Sequence, residues 1–169
     1  MALLPILIYP DPRLHTVARP VQAVDARLRT LIGDMFQTMT TAKGIGLAAT
    51  QVNVHERLIV IDISESHDQP LVLINPVLLQ AAPTTHLNEE GCLSVPGVYD
   101  RVLRSDSVTV QALDGDGVSR QIEAQGLLAR CIQHEMDHLT GKVFVQYLSQ
   151  LKRSRIRTKM LKALREAED

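Results

Sequence analysis

Two histidines four residues apart, His134 and His138, flank a glutamate in the run His134-Glu135-Met136-Asp137-His138. The residues around them, Gly126 to Leu139, carry apolar side chains at helical spacing, and Gly141 just beyond suits a C-cap. On a helix, positions i and i+4 stand one above the other on one face. Leu127, Cys131, His134 and His138 fall in one stripe, so both imidazoles belong to the inward side. Buried polar rings need partners, and one metal ion shared between them supplies one for each. The same spacing also occurs on solvated helices, but an inward face favours the shared ion. Such a helix has to run through the middle of a fold rather than across its surface.

Glu135 lies about a hundred degrees round the helix from His134. From there it reaches a water at the ion without ligating the ion itself. Two ligands, a base and an open position are what metal-assisted hydrolysis needs. A third ligand must come from elsewhere. No histidine follows His138, and the later carboxylates, Glu166, Glu168 and Asp169, sit at the end of a basic segment. Upstream, Cys92 stands among small and flexible neighbours in Glu90-Gly91-Cys92-Leu93-Ser94. A thiol bound to a metal loses its proton outright. Cys131 is the rival thiol; one turn before His134, it lies too far down the helix to share the ion and reads as a small buried residue.

The 169 residues, 45% hydrophobic and 22% charged, have the balance of one globular catalytic domain spanning 1–169. A net charge of −1 exerts no global pull toward nucleic acid or membrane, so neither DNA nor a bilayer is an expected partner. The first twelve residues lack a basic leader region and are interrupted by Pro5, Pro10 and Pro12. No apolar run approaches the roughly 18 residues of a membrane span. The expected location is the cytoplasm, where both cysteines stay reduced.

The proline-rich start suits an extended arm laid over a core. Asp25 is placed to cap a helix whose apolar residues are Leu28, Leu31, Ile32, Met35, Phe36 and Met39, ending near Lys43-Gly44 with a glycine C-cap. Leu58 to Ile63 and Leu71 to Asn75 read as buried strands. Val108 to Leu113 and Val118 to Ala124 read as a hairpin around Asp114-Gly115-Asp116-Gly117. Ser149 to Glu168 reads as an amphipathic C-terminal helix. Strands and helices are segregated, which predicts α+β: largely antiparallel sheets packed around a central helix carrying the metal motif.

Three segments, in order, resemble the bacterial type of peptide deformylase. Gly44-Ile45-Gly46-Leu47-Ala48-Ala49-Thr50-Gln51 is similar to that family's glycine-rich motif, Glu90-Gly91-Cys92-Leu93-Ser94 to its cysteine motif, and His134-Glu135-Met136-Asp137-His138 to its metal-binding helix. The similarity runs from Asp11-Pro12-Arg13-Leu14 to the C-terminal helix. The resemblance implies a hydrolase that removes the formyl group from the N-terminal formyl-methionine of new polypeptides and releases formate. It implies that Cys92, His134 and His138 hold the metal and that Glu135 is the general acid/base. The Gln51 amide and the Leu93 N–H would stabilise the oxyanion, while the backbone at Ile45, Gly46 and Gly91 would pair with the substrate. Glu90 would orient the histidines. Fe²⁺ is the implied ion, with Zn²⁺, Ni²⁺ or Co²⁺ in preparations.

Helix geometry adds Leu127 and Cys131 as candidate walls of a methionine slot, with Arg130 at its rim. Tyr99 departs from the family, many of whose members carry arginine there, and Thr38 to Lys43 is threonine-rich where acidic residues are common. Seven cations lie between Lys152 and Arg165. They form a solvated face or, as the resemblance implies, a contact with ribosomal RNA. Two other functions share the helix motif. A zinc endopeptidase would need a downstream ligand, and a non-catalytic metal-binding domain would have no use for Glu135 and Gln51.

Overall fold

The computed structural model of the protein describes residues 2–168. Its helices are α1 (Ala26–Thr41), α2 (Gly126–Leu139) and α3 (Gln150–Glu168). Its strands are β1 (Gly46–Ala48), β2 (Leu58–Ile61), β3 (Leu71–Ala81), β4 (Thr85–Cys92), β5 (Val95–Ser105), β6 (Ser107–Leu113) and β7 (Ser119–Gln125). Five strands form one sheet in the order β1-β2-β3-β6-β7, and β4 and β5 form a separate two-stranded ribbon. Every neighbouring pair is antiparallel. The α+β expectation holds.

The run Leu58-Ile59-Val60-Ile61 is apolar throughout because both faces of β2 are covered. Leu58 and Val60 pack with Leu28, Ile32, Met35 and Met39 of α1. Ile59 and Ile61 pack with Ala129, Ile132 and Leu139 of α2. The sheet is thus sandwiched between α1 and α2, and α2 is also enclosed by β5 and the 49–52 turn. A third apolar cluster joins Leu7, Tyr9 and Leu14 of the arm to Val95, Val102, Phe144, Val145, Ile156 and Met160. That cluster fastens the ribbon and α3 to the body.

Asp25 caps α1 as expected, its Oδ1 accepting the Leu28 N–H at 3.0 Å. The other end of α1 differs from expectation. The left-handed residue is Lys43, at φ 61, and no glycine takes that role. Lys43 N–H bonds Thr40 O and Gly44 N–H bonds Met39 O, both in the Schellman pattern. Gly141 does sit just past α2 with φ 84. β3 runs six residues beyond its expected end at Asn75, through a register shift between Ile74 and Val77. The ribbon was not foreseen. Its inward positions on β5 include Arg104, which breaks the apolar alternation that marks a half-buried strand. The amphipathic stripe of α3 is also narrower than its sequence implies, since Leu151, Leu161 and Leu164 are exposed.

Candidate active site

β4 ends at Cys92, a tight turn follows through Leu93 and Ser94, and β5 starts at Val95. That turn aims the Cys92 thiol at α2. Its Sγ lies 3.3 Å from His138 Nε2. The ligand atoms of Cys92, His134 and His138 all lie within 4.8 Å of one another. Cys131 stands apart from this group, its Sγ 4.0 Å from the Ile45 carbonyl, and burial pushes its thiol pKa up.

A buried network sets the chemistry of these ligands. Glu90 Oε1 is 2.8 Å from His134 Nδ1. Arg104 grips both Glu90 oxygens, at 2.7 and 3.0 Å, and reaches Asp137 Oδ2 at 2.6 Å. Tyr147 donates its hydroxyl to Asp137 at 2.8 Å, and the Arg104 guanidinium lies over the Tyr147 ring. Burial opposes charge on Glu90, but Arg104 and His134 outweigh it and hold its pKa at about 2. An ionised carboxylate only accepts. His134 Nδ1 therefore carries a proton toward Glu90, which leaves Nε2 as the atom that faces Cys92 and His138. Glu90 orients His134 alone, since His138 Nδ1 is buried without a hydrogen-bond partner among the described residues.

The donor set fits a cation. One thiol and two imidazoles suit a soft or borderline divalent metal. Burial keeps His138 neutral, its pKa well below the ordinary value, which is the ligating state. His134 is pulled the other way. Burial disfavours its charge, yet Glu135, Cys92 and Glu90 together raise its pKa. The field at this point thus favours positive charge, which a metal ion supplies.

Glu135 is 4% exposed, and its Oε1 is buried without a partner among the described residues. Burial pushes its carboxyl up to about 7, against the nearby charge of His134. Beside it runs β1, an edge strand. A Cβ on Gly46 would sit 2.5 Å from Glu135 Oε2 and 2.8 Å from Cys131 Sγ, so only glycine admits this close approach. Gln51 lies in the 49–52 turn, 1% exposed, with Nε2 3.5 Å from Cys92 Sγ.

A cleft of about 540 Å³ opens on these groups. Ile45, Gly46, Gln51, Gly91, Cys92, Leu93, Leu127, Arg130, Cys131, His134 and Glu135 all border it. The candidate residues of the sequence are therefore brought together, with His138 directly behind. Tyr99 borders the cleft as well, opposite Gly91 in the ribbon, its ring laid against that glycine. Arg104, Tyr147 and Ser94 escaped the sequence reading. Arg104 had a signal in principle, as a charged residue on the inward phase of β5, but that phase is visible only once the ribbon is known.

The family model described as polypeptide deformylase matches residues 3–154. A peptide deformylase of Teredinibacter turnerae is 61% identical over 166 residues, covering 98% of this chain and 99% of that protein. One from Neisseria meningitidis is 60% identical over 163 residues, 96% of each. The crystal structure of a peptide deformylase from Legionella pneumophila superposes with a TM-score of 0.94 at 48% identity, covering 99% of this chain and 98% of that one. A peptide deformylase from Ehrlichia chaffeensis, in complex with actinonin, gives 0.93 at 43% identity over 96% of this chain and 98% of that one. On sequence, fold and the converging Cys92, His134 and His138, the chain belongs to the polypeptide deformylase family.

Proposed function

We propose that Cys92, His134 and His138 hold the metal of a peptide deformylase whose proton carrier is Glu135. The enzyme removes the formyl group from the N-terminal methionine of new polypeptides and releases formate. The observation that carries the residue assignment is the convergence of three ligand atoms within 4.8 Å beside a buried, unpartnered carboxylate oxygen. When bound, the ion supplies the Lewis acidity that makes water nucleophilic near neutral pH.

Glu135 takes a proton from the attacking water and hands it to the leaving nitrogen, a double duty suited by a carboxyl poised near neutrality. Gln51 Nε2 and the Leu93 N–H donate to the formyl oxygen as charge builds there, one such donor being worth roughly 3–4 kcal/mol. The backbone of Ile45, just before β1, and of Gly46 on that edge strand, with Gly91 across the cleft, pairs with the substrate backbone. Leu127 and Cys131 line the methionine slot. The Glu135 carboxylate crowds against Gly46. A site so narrow admits a formyl hydrogen and rejects an acetyl methyl.

Formate release from formyl-Met-Ala-Ser by anaerobically purified protein tests this, wild type beside Glu135→Ala. Release that Glu135→Ala abolishes, with metal still bound, supports the reaction and the base. No release from metal-loaded wild type discards the reading. Fe²⁺ is the proposed resident ion, with Zn²⁺, Ni²⁺ or Co²⁺ able to occupy the same donors. Metal analysis of anaerobic preparations returning zinc instead would overturn that choice.

We further assign residues 1–169 to one catalytic domain working in the cytoplasm; no described helix is long and apolar enough to cross a membrane. The basic face of α3 is proposed to dock on ribosomal RNA. Ile156 and Met160 are buried, so truncating α3 would expose core. Reversing the exposed Arg155, Lys159 and Lys162 to glutamate is the cleaner test. Small-peptide turnover should persist while ribosome co-sedimentation falls, and unchanged co-sedimentation would remove the idea.

A further inference from the structure

The Gln51 amide is fixed from both ends. Its Oε1 accepts the Ala48 N–H at 2.9 Å, and its Nε2 donates to Ser94 Oγ at 3.0 Å. An amide flip would set Nε2 against the Ala48 N–H, donor against donor, so one orientation is enforced. Nε2 carries two hydrogens. One is held by Ser94, which leaves the other on the side of Cys92, whose Sγ is 3.5 Å away. Ser94 is fully buried at 0% exposure, so no water competes for its hydroxyl.

The backbones of the same two residues are tied to one strap. Leu7 N–H donates to Gln51 O at 2.7 Å, and Tyr9 N–H donates to Ser94 O at 2.8 Å. Leu7 and Tyr9 are themselves buried in the cluster with Val95 and Phe144. The arm thereby fixes the separation between the turn carrying Gln51 and the turn carrying Cys92 and Ser94. Across that fixed gap, the Gln51–Ser94 hydrogen bond decides where the second N–H, on the Cys92 side, points.

We propose that Ser94 is a positioning residue whose hydroxyl holds the Gln51 amide so that its second N–H faces the formyl oxygen. This rests on the reading that Gln51 stabilises the oxyanion. The terminal torsion of a glutamine is broad. Without Ser94 the amide is held by the Ala48 N–H and the long contact to Cys92 Sγ alone and samples directions that miss the oxygen, and transition-state stabilisation depends on donors fixed beforehand. Ser94 touches neither substrate nor metal in this account; it acts through Gln51.

A double-mutant cycle separates the two ideas. Wild type, Ser94→Ala, Gln51→Ala and the double variant are compared, all metal-loaded, by kcat and KM on formyl-Met-Ala-Ser. Gln51→Ala should lower kcat by about 100-fold. Ser94→Ala should lower it by about 10-fold with KM nearly unchanged, and the double variant should equal Gln51→Ala, because the hydroxyl has nothing left to position. A Ser94→Ala loss that multiplies with that of Gln51→Ala would overturn the proposal, as would full kcat in Ser94→Ala; either leaves Gln51 in its role. Full kcat in Gln51→Ala would remove the oxyanion reading, and Ser94 with it. Side-chain amide hydrogen exchange of Gln51 gives a readout without turnover. It should quicken in Ser94→Ala, and an unchanged rate contradicts the proposal. Should Ser94→Ala not fold, Ser94→Cys, close in volume and a weak acceptor, carries the same measurements with the same expected directions.

Discussion

Along α2, seven side chains are buried, among them His134, Glu135 and His138, whereas the longer α3 buries Ile156 and Met160. In sequence both segments read as amphipathic helices. Their surroundings differ because α2 is enclosed by the sheet and the ribbon, while α3 lies on the outside and docks by one stripe on the third cluster. Enclosure lets α2 hold polar and charged groups in a low dielectric, where His134 and Asp137 are met by fixed partners and Glu135 Oε1 is left for the chemistry. For α3 no such demand exists, and its cations stay solvated. A chemical site thus draws on an element enclosed except where a cleft reaches it; a docking face needs open surface.

The sharpest difference is between an ion pair at each helix. Arg104 pins Asp137 of α2 to Glu90 of the ribbon, with 5% of its side chain exposed. Lys152 of α3 meets Asp100 at 3.2 Å with its side chain 53% exposed. Arg104→Leu leaves the Glu90 carboxylate buried without its cation and should destabilise by about 3–5 kcal/mol in urea unfolding. Lys152→Ala should cost under about 1 kcal/mol. Equal losses would break the contrast between the enclosed helix and the docked one.

Apolar burial gives a smaller separation. Ile132 of α2 is 0% exposed and packs under the sheet; Met160 of α3 is 2% exposed against the third cluster. Ile132→Ala should cost about 3–4 kcal/mol, since α1, the sheet and α2 together leave its cavity unable to collapse. Met160→Ala should cost about 2 kcal/mol, the low end for a buried methionine, because α3 packs on the third cluster by one stripe. A Met160→Ala cost equal to that of Ile132→Ala would show that α3 is as rigidly held as α2.

The same contrast explains what the sequence made legible. Both histidines, Glu135 and the helix that carries them follow from a 3.6-residue period with polar groups on its inward side. Leu58 to Ile61 was readable because a strand covered on both faces is apolar at every position. Cys92 was reached from its small neighbours and the lack of a later ligand. The ribbon holding Cys92 was not legible, because few of its side chains are both apolar and buried, and its key inward residue is Arg104. The partners of Glu90 and Gln51 were hidden for a related reason. Arg104 lies 14 residues from Glu90, and Ser94 lies 43 from Gln51. Such pairings belong to the tertiary fold and leave no local period.

Exposed leucines put the comparison to its finest test. Leu127 of α2 is 43% exposed and Leu161 of α3 is 39% exposed, so accessibility alone does not distinguish them. Leu127, however, borders the cleft beside Cys131 and Glu135, whereas Leu161 faces solvent next to the cations of α3. Leu127→Trp should narrow the methionine slot and raise KM for formyl-methionyl peptides by about fivefold, roughly 1 kcal/mol of lost binding. Leu161→Trp should leave KM and stability unchanged within about 0.5 kcal/mol. If Leu127→Trp left KM unaltered, the first turn of α2 would be ordinary helix surface like that of α3. The functional part of α2 would then begin at Cys131.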